Sequence, residues 1–372
     1  MNKIKPIHII VLSANAAAVA AALILTAVGS SLAESQNYNL AYERWKGSSS
    51  YDFSQISCFF SDNAGFSVNN VNSARSLLVS ALTDASYDTA NNTPFVDAYS
   101  CYVANAPVKC DISGKSNADI TAVGGDFFFF HDFELVDGSY FSDNDTMQDG
   151  AVIDRELAWF LYGSDDVSGM NIYINGIRCY IAGVIKNPDT KADRLCASKA
   201  PKAYISYETA SAMQLSNSDS KDSSFASDFT RISNYECIIP EPVKNFGLTT
   251  MKKIIGNEYG DNVSVINNSE RFSPKKRCKA LKNIEKSVIR SDSVRLPAWE
   301  NASRITEFKL SYIYTARKYL LFLPALTILF LLVKLFCLWQ KNKNTYKKAV
   351  FERLRSKLTR TKKPATERIN LQ

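Results

Sequence analysis

The chain has 372 residues, with 44 Lys and Arg against 37 Asp and Glu and a formal charge of +7. The excess sits at the ends, with Lys3 and Lys5 at the start and eleven basic against two acidic residues after Gln340, so the stretch between carries a net charge near −4. A basic nucleic-acid-binding surface is excluded over most of the length, and two histidines, His8 and His131, leave little material for acid–base catalysis.

Ile7 to Leu32 is a long apolar run, and about 20 such residues cross a bilayer as a helix. Ser31-Leu32-Ala33 could end a signal peptide, but the run exceeds the usual ~7–15 residues of an apolar signal core, so a retained span is expected. Ala14, Ala18 and Ala22 lie four apart with Asn15 beside them, a small-residue face suited to close helix packing and to a homo- or heterodimer through this span. Tyr38, Tyr42 and Trp45 continue the helical spacing without Gly or Pro, predicting a stalk helix from Glu34 to Lys46.

Further along, Ile56–Phe60 reads as a strand, Val71–Ala85 as a helix and Phe95–Val103 as a strand. A second strand–helix–strand follows much later at Tyr235–Ile239, Val243–Ile255 and Val263–Ile266. Between these two units come strands Ile120–Val123, Gly150–Asp154, Met170–Ile174, Arg178–Ile185 and Ala203–Ser206. Asn175-Gly176 is a two-residue hairpin turn, and Arg155–Tyr162 is a helix capped by Asp154 and stopped by Gly163. Gln214 to Asp228, rich in Ser and Asp, reads as a linker.

Trp299 to Lys318 predicts a second stalk helix, leading into an apolar second span, Tyr319–Trp339. In the basic tail Tyr346, Val350, Leu354 and Leu358 share one face of a possible helix. Lys347, Lys348, Arg353, Arg355 and Lys357 fall elsewhere and are candidates for inner-leaflet or partner contact. Basic flanks stay cytoplasmic, so a two-pass cell-membrane protein with both termini inside and a large extracytoplasmic domain is expected.

The fold class expected is α+β: a two-lobed domain, with a split βαβ-type lobe carrying an inserted mostly-β lobe, between two transmembrane helices. Residues 1–6 form the cytoplasmic start, 7–32 the first span and 33–55 the first stalk. The α+β lobe takes 56–118 and 229–290, and the inserted lobe with its linker 119–228. The second stalk is 291–318, the second span 319–339 and the tail 340–372.

Five blocks carry a likeness: Asp119-Ile-Thr-Ala-Val-Gly-Gly-Asp126, Glu134-Leu-Val-Asp-Gly-Ser-Tyr-Phe141, Ala151-Val-Ile-Asp-Arg-Glu-Leu-Ala158-Trp-Phe-Leu-Tyr-Gly163, Val167-Ser-Gly-Met-Asn-Ile-Tyr-Ile-Asn-Gly176 and Cys179-Tyr-Ile-Ala-Gly-Val-Ile185. In order and spacing they resemble the extracytoplasmic core domain of MacB-like and FtsX-like ABC permeases. The positions matching the family pattern are Gly138, Phe141, Ala158, Gly163, Gly169, Gly176 and Gly183, all structural in kind. The resemblance implies a domain moved through stalk helices by a separate ABC ATPase, beside a further permease chain. It also implies four spans, whereas one span follows the domain here, so a truncated or accessory subunit is expected. Ser139 stands where the family usually has Arg.

Catalytic and metal readings are weak. Gly114-Lys115-Ser116 lacks the P-loop's earlier glycine, since Lys109 stands there. Asp143, Asn144 and Asp145 lack an EF-hand's closing Glu, and His131 has no companion for a hydrolytic triad. Seven of the eight cysteines lie outside the spans, with no metal-binding spacing. No enzymatic activity and no cofactor are expected. The rival to the transporter reading is a free-standing receptor or sensor for an envelope or extracellular ligand.

Overall fold

The structure, a computed structural model, describes residues 6–89, 93–112, 114–218, 230–281 and 294–360. Two compact units emerge: residues up to Ala27 together with those from Thr315 onward, and Val28–Tyr314. In the first unit lie most of helix α1 (Pro6–Glu34) and the larger part of a 63-residue helix, here α11 (Ala298–Arg360). Only 6% of each helix's apolar window is buried, the exposure of a lipid-facing helix rather than of a core helix. Backbone helix continues into the tail as far as Arg360 and thus includes residues 347, 348, 353, 355 and 357.

Val28–Tyr314 is built on one ten-stranded sheet. Strand β1 (Phe53–Phe60), helix α3 (Val68–Asp84) and strand β2 (Val96–Cys110) form the first split βαβ unit. Strand β9 (Asn234–Pro240), helix α8 (Phe246–Met251) and strand β10 (Val263–Asn267) form the second. β1 lies antiparallel between β9 and β10, and β9 antiparallel between β1 and β2, so the order β10-β1-β9-β2 interleaves the two units in the ferredoxin-like manner. Ile56, Cys58, Leu78, Leu82, Cys237, Met251 and Ile255 fill the core on that side.

The inserted stretch supplies β3 (Lys115–Gly125), β4 (Glu134–Gly138), β5 (Gly150–Asp154), helix α5 (Arg155–Tyr162), β6 (Asn171–Ile174), β7 (Ile177–Lys186) and β8 (Lys202–Ser206). These strands return on themselves, because β2 pairs with both β3 and β6 while β3, β8, β5, β7 and β6 pair in turn. β2 is 15 residues long and serves both lobes. Its register shifts between Val103 and Ala106, where Asn105 takes φ 59°, and such a bulge bends a strand. Val108, Ile120, Ile153, Ile172 and Ile181 fill the enclosed space together with Leu157, Ala158 and Leu161 from α5. The α+β class and two lobes thus take the form of one continuous sheet with a core of its own in each lobe and a third apolar cluster, with Phe53, Phe127 and Phe130, against the sheet.

Several elements differ from the sequence reading. The stalk helix does not run on to Lys46: α1 ends at Glu34, residues 37–40 form a 3-10 turn, and α2 (Ala41–Lys46) follows. Asn37 and Asn39 disfavour helix, and Tyr38 and Asn39 use the break to reach α11. β1 begins at Phe53, inside the stretch expected as stalk. Helix α7 (Tyr207–Ser218) extends into the expected linker, whose remainder lies outside the described residues. α8 starts at Phe246 after Asn245 in the left-handed region, and a π-helical turn, Lys252–Gly256, and α9 (Asn257–Tyr259) follow it. Helices α4 (Phe127–Phe130), α6 (Lys191–Cys196) and α10 (Pro274–Ala280) and strand β4 are additions.

Candidate functional site

Within Val28–Tyr314 the first turns of α11 meet the sheet through an unusual quantity of buried polar chemistry. Glu300, Ser303 and Glu307 recur on one helical face, and Glu300 and Ser303 are at most 1% exposed. Opposite them stands Arg271, 3% exposed, in the loop after β10. Its two terminal nitrogens each donate to a Glu300 oxygen at 2.7 Å, the bidentate geometry that a guanidinium offers a carboxylate. Glu307 lies 3.2 Å from Arg271 Nε and 2.8 Å from Arg277 Nη1, and Arg304 Nε donates to Glu300 at 2.9 Å. Burial alone would lower the Arg271 pKa, but Glu300 and Glu307 outweigh it and hold the guanidinium above its usual value. For Arg277 burial prevails over the pull of Glu307, and its pKa falls.

From this cluster a chain of hydrogen bonds runs into the sheet. Arg271 Nη1 donates to Asn268 Oδ1 at 3.2 Å, Asn268 Nδ2 to Ser57 Oγ at 2.9 Å, and Ser57 Oγ to Glu236 Oε1 at 2.8 Å. The other Glu236 oxygen lies 2.8 Å from His131 Nε2. The reason lies in strand alternation: β1 turns Ile56, Cys58 and Phe60 to the apolar core, which sends Gln55 and Ser57 to the opposite face. From the α1–α2 break, Asn39 Nδ2 donates to Ser303 Oγ at 2.6 Å and Ser303 Oγ to Gln36 Oε1 at 3.2 Å. Tyr38 Oη bonds to Ser303 Oγ and the Trp299 carbonyl. Aromatic rings close the flank, with His131 stacked on Phe127 at 4.3 Å and edge-on to Trp299 at 4.9 Å. A cavity of about 400 Å³ adjoins it, lined in part by Gln36, Tyr38, Lys186, Tyr204 and Trp299.

Buried charge of this kind is a poor source of net stability but is costly to disturb, since removing one partner strands the other without water. Chemically the hydroxyl–carboxylate contact of the junction, Ser57 with Glu236, is buried away from solvent, and among the described residues no group of His, Cys, Asp and Glu is placed to hold a metal. What it can do is fix the register of α11 against β1 and β9 by directed bonds that break before they stretch. His131 is part of that fixture.

The residues expected to match the family pattern lie elsewhere. Gly138 and Gly183 face each other across the β4–β7 pair. A Cβ on Gly138 would fall 2.2 Å from the Ala182 carbonyl oxygen, at φ 69°, and one on Gly183 would fall 2.5 Å from that of Ser139. Gly163 closes α5 in the left-handed region, Gly169 also takes positive φ, and Gly176 completes the hairpin turn. Phe141 is buried edge-on to Phe128, and Ala158 sits in the closed core. In the membrane unit Ala18 and Ala22 are buried, Ala14 is exposed, and Asn15 is half-buried with its Oδ1 lacking a hydrogen-bond partner among the described residues. Asp145 accepts from the Ser142 backbone nitrogen within a turn, and Asp143 accepts from that of Gly125, 18 residues away, so both carboxylates are used in local structure and in tying the loop to β3.

Of the junction residues the sequence singled out only His131, as a histidine without a triad companion, and Tyr38, as part of a helical spacing; the charged and amide members were not named. The readable signal was Glu300, Ser303 and Glu307 on one face of an apolar-flanked helix, with Arg304 as the one nearby basic partner, four residues from Glu300.

Residues 9–231 match the family described as the MacB-like periplasmic core domain. The solved periplasmic region of MacB from Actinobacillus actinomycetemcomitans is similar at 10% identity and a TM-score of 0.41, over 63% of this chain and 94% of that one. The extracellular domain of the noncanonic ABC-type transporter YknZ from Gram-positive bacteria is similar at 13% identity and a TM-score of 0.37, over 57% of this chain and 100% of that one. No curated protein matches the chain.

Proposed function

Because the chain belongs to the MacB-like periplasmic core domain family, and so to the permeases of ABC-type transporters, we propose that it is a membrane-anchored permease-like subunit whose extracytoplasmic domain is moved by a separate ATPase. The observation carrying this reading is the junction between α11 and the sheet. α11 is a single helix from Ala298 to Arg360, so the residues that grip Arg271 and those of the second span belong to one element. Displacement or rotation of that helix would be passed to β1 and β9 through Glu300, Arg271, Asn268, Ser57 and Glu236 instead of being absorbed by a loop. Both termini would lie in the cytosol, where the basic tail would meet the ATPase or the inner leaflet. Ala14 and Asn15 would offer a face to a further permease chain or a second copy.

Affinity purification of the full chain from its own membranes tests the assembly. An ABC ATPase should co-purify in stoichiometric amount. Recovery of neither an ATPase nor another permease chain would defeat the reading in favour of a free-standing receptor.

A further inference from the structure

Beside the junction, helix α10 has no part in the coupling just described except through Arg277. Ser273 and Pro274 open it, a cap position followed by the ring whose fixed φ suits a first helical residue. Its sequence, Pro-Lys-Lys-Arg-Cys-Lys-Ala, is amphipathic in an uncommon sense. Arg277 and Cys278 face inward, Arg277 to Glu307 at 2.8 Å and Cys278 into a small cluster with Phe272. Lys275, Lys276 and Lys279 share the opposite face and are exposed. Lys276 pairs with Glu270 at 2.9 Å, whose carboxyl Lys276 holds below its ordinary pKa. Lys275 and Lys279 form no ion pair among the described residues.

The cluster that seats α10 fixes its height. Phe272 and Cys278 pack with Leu32 and Ala33 at the end of α1 and with Leu310, Ile313 and Tyr314 of α11. Leu32 closes the first apolar run, and Tyr314 precedes the second, which begins at Tyr319, by five residues, about 7.5 Å of helix. Gly29, whose Cβ would fall 2.8 Å from the Tyr314 ring, allows this close approach of the two helices. Tyr312, 58% exposed, lies within a turn of Tyr314 on α11, and tyrosines gather at a membrane surface. Lys275 and Lys279, exposed beside the end of the first apolar run and without an ion pair among the described residues, call for an anionic counterpart there, and Lys276 adds to their charge.

We propose that α10 is a lipid-contacting platform, with Lys275, Lys276 and Lys279 binding the anionic phospholipid headgroups of the outer-facing leaflet. The contact would steady the base of the domain from which α11 emerges. It depends on the chain being membrane-anchored and not on the identity of any ATPase partner, so failure of the co-purification above would leave it standing.

The test uses the full chain in nanodiscs of phosphatidylcholine, with and without phosphatidylglycerol, and reads hydrogen exchange of the backbone amides of residues 275–280. Each lysine near an anionic surface is worth about 1 kcal/mol, about fivefold, so exchange should slow at least about fivefold in the anionic discs. Substituting Lys275→Gln, Lys276→Gln and Lys279→Gln together should abolish the difference and leave the basic tail unaltered. Should that variant fail to fold, salt high enough to cut the Debye length to about 3 Å should erase the effect in the wild type. Soluble glycerol phosphate added to phosphatidylcholine discs should not reproduce the slowing. Equal exchange in both disc types, persistence of the difference in the variant, or full reproduction by glycerol phosphate would each overturn the proposal.

Discussion

Substituting Glu300→Gln removes one negative charge from a site 1% exposed to solvent and keeps its shape. In the wild type two Arg271 nitrogens at 2.7 Å and Arg304 Nε at 2.9 Å share this carboxylate. After the change Arg271 remains buried with only Glu307 at 3.2 Å as counter-charge. Breaking a buried pair by removing one partner costs about 3–5 kcal/mol, and since Glu307 compensates in part, the lower end, about 3 kcal/mol, is expected. For a domain of this size that corresponds to a fall in Tm of about 6 °C or more. The assay is thermal unfolding of the full chain followed by tryptophan fluorescence, Trp299 lying in the junction itself. The double variant Arg271→Met with Glu300→Leu removes both charges and should recover part of the loss, as apolar replacements of whole buried pairs do. A loss below about 1 kcal/mol for Glu300→Gln, or additive losses in the double variant, would refute the reasoning.

Three further outcomes follow from other parts of the molecule. Burial pushes the Cys179 thiol up to about 12 and Cys237 well above its ordinary value, so mass spectrometry after brief alkylation at pH 8 should find Cys196 and Cys278 modified and Cys58, Cys179 and Cys237 protected. Gly138→Ala should cost about 2–4 kcal/mol by chemical denaturation, because positive φ and a blocked Cβ act together. Gly169→Ala, at φ 81° with open space around it, should cost only about 1 kcal/mol. Burial raises the Asp154 pKa above its unfolded value, so its contribution to stability is greatest at low pH and is lost as pH climbs through the folded pKa. The stability of wild type relative to Asp154→Asn should therefore decline as pH rises above about 4, the ordinary carboxylate value, and a difference that grows as pH rises would contradict the assignment.

Local chemistry made much of the domain legible. α5 begins and ends where Asp154 and Gly163 place it, with Leu157 N donating to the Asp154 carboxylate at 2.9 Å. The Asn175-Gly176 turn takes positive φ at both residues and sets the β6–β7 register. The two distant strand–helix–strand patterns pair as interleaved split units because each strand's apolar face must share one core. What remained hidden depends on contacts far apart in sequence. The closing of the sheet needs β6 to reach β2, some 60 residues away, through a three-pair register that no local pattern announces. β4 is an exposed edge strand and α4 a single turn of Phe, both too short for periodicity to show. The α1 break and the junction escaped for one shared reason. Gln36, Asn39, Arg271, Glu300 and Glu307 have the composition of a solvated surface, and only tertiary pairing makes them interior.

The proposed coupling of α11 to the sheet is tested most directly by hydrogen exchange on the chain purified together with the ATPase proposed above, with ATP held bound against ADP. The strand segments 53–60 and 234–240 should exchange at different rates in the two nucleotide states, and the difference should vanish in the Arg271→Met, Glu300→Leu variant even where that variant is as stable as wild type. Identical exchange in both states, or an undiminished difference in the variant, would contradict the account.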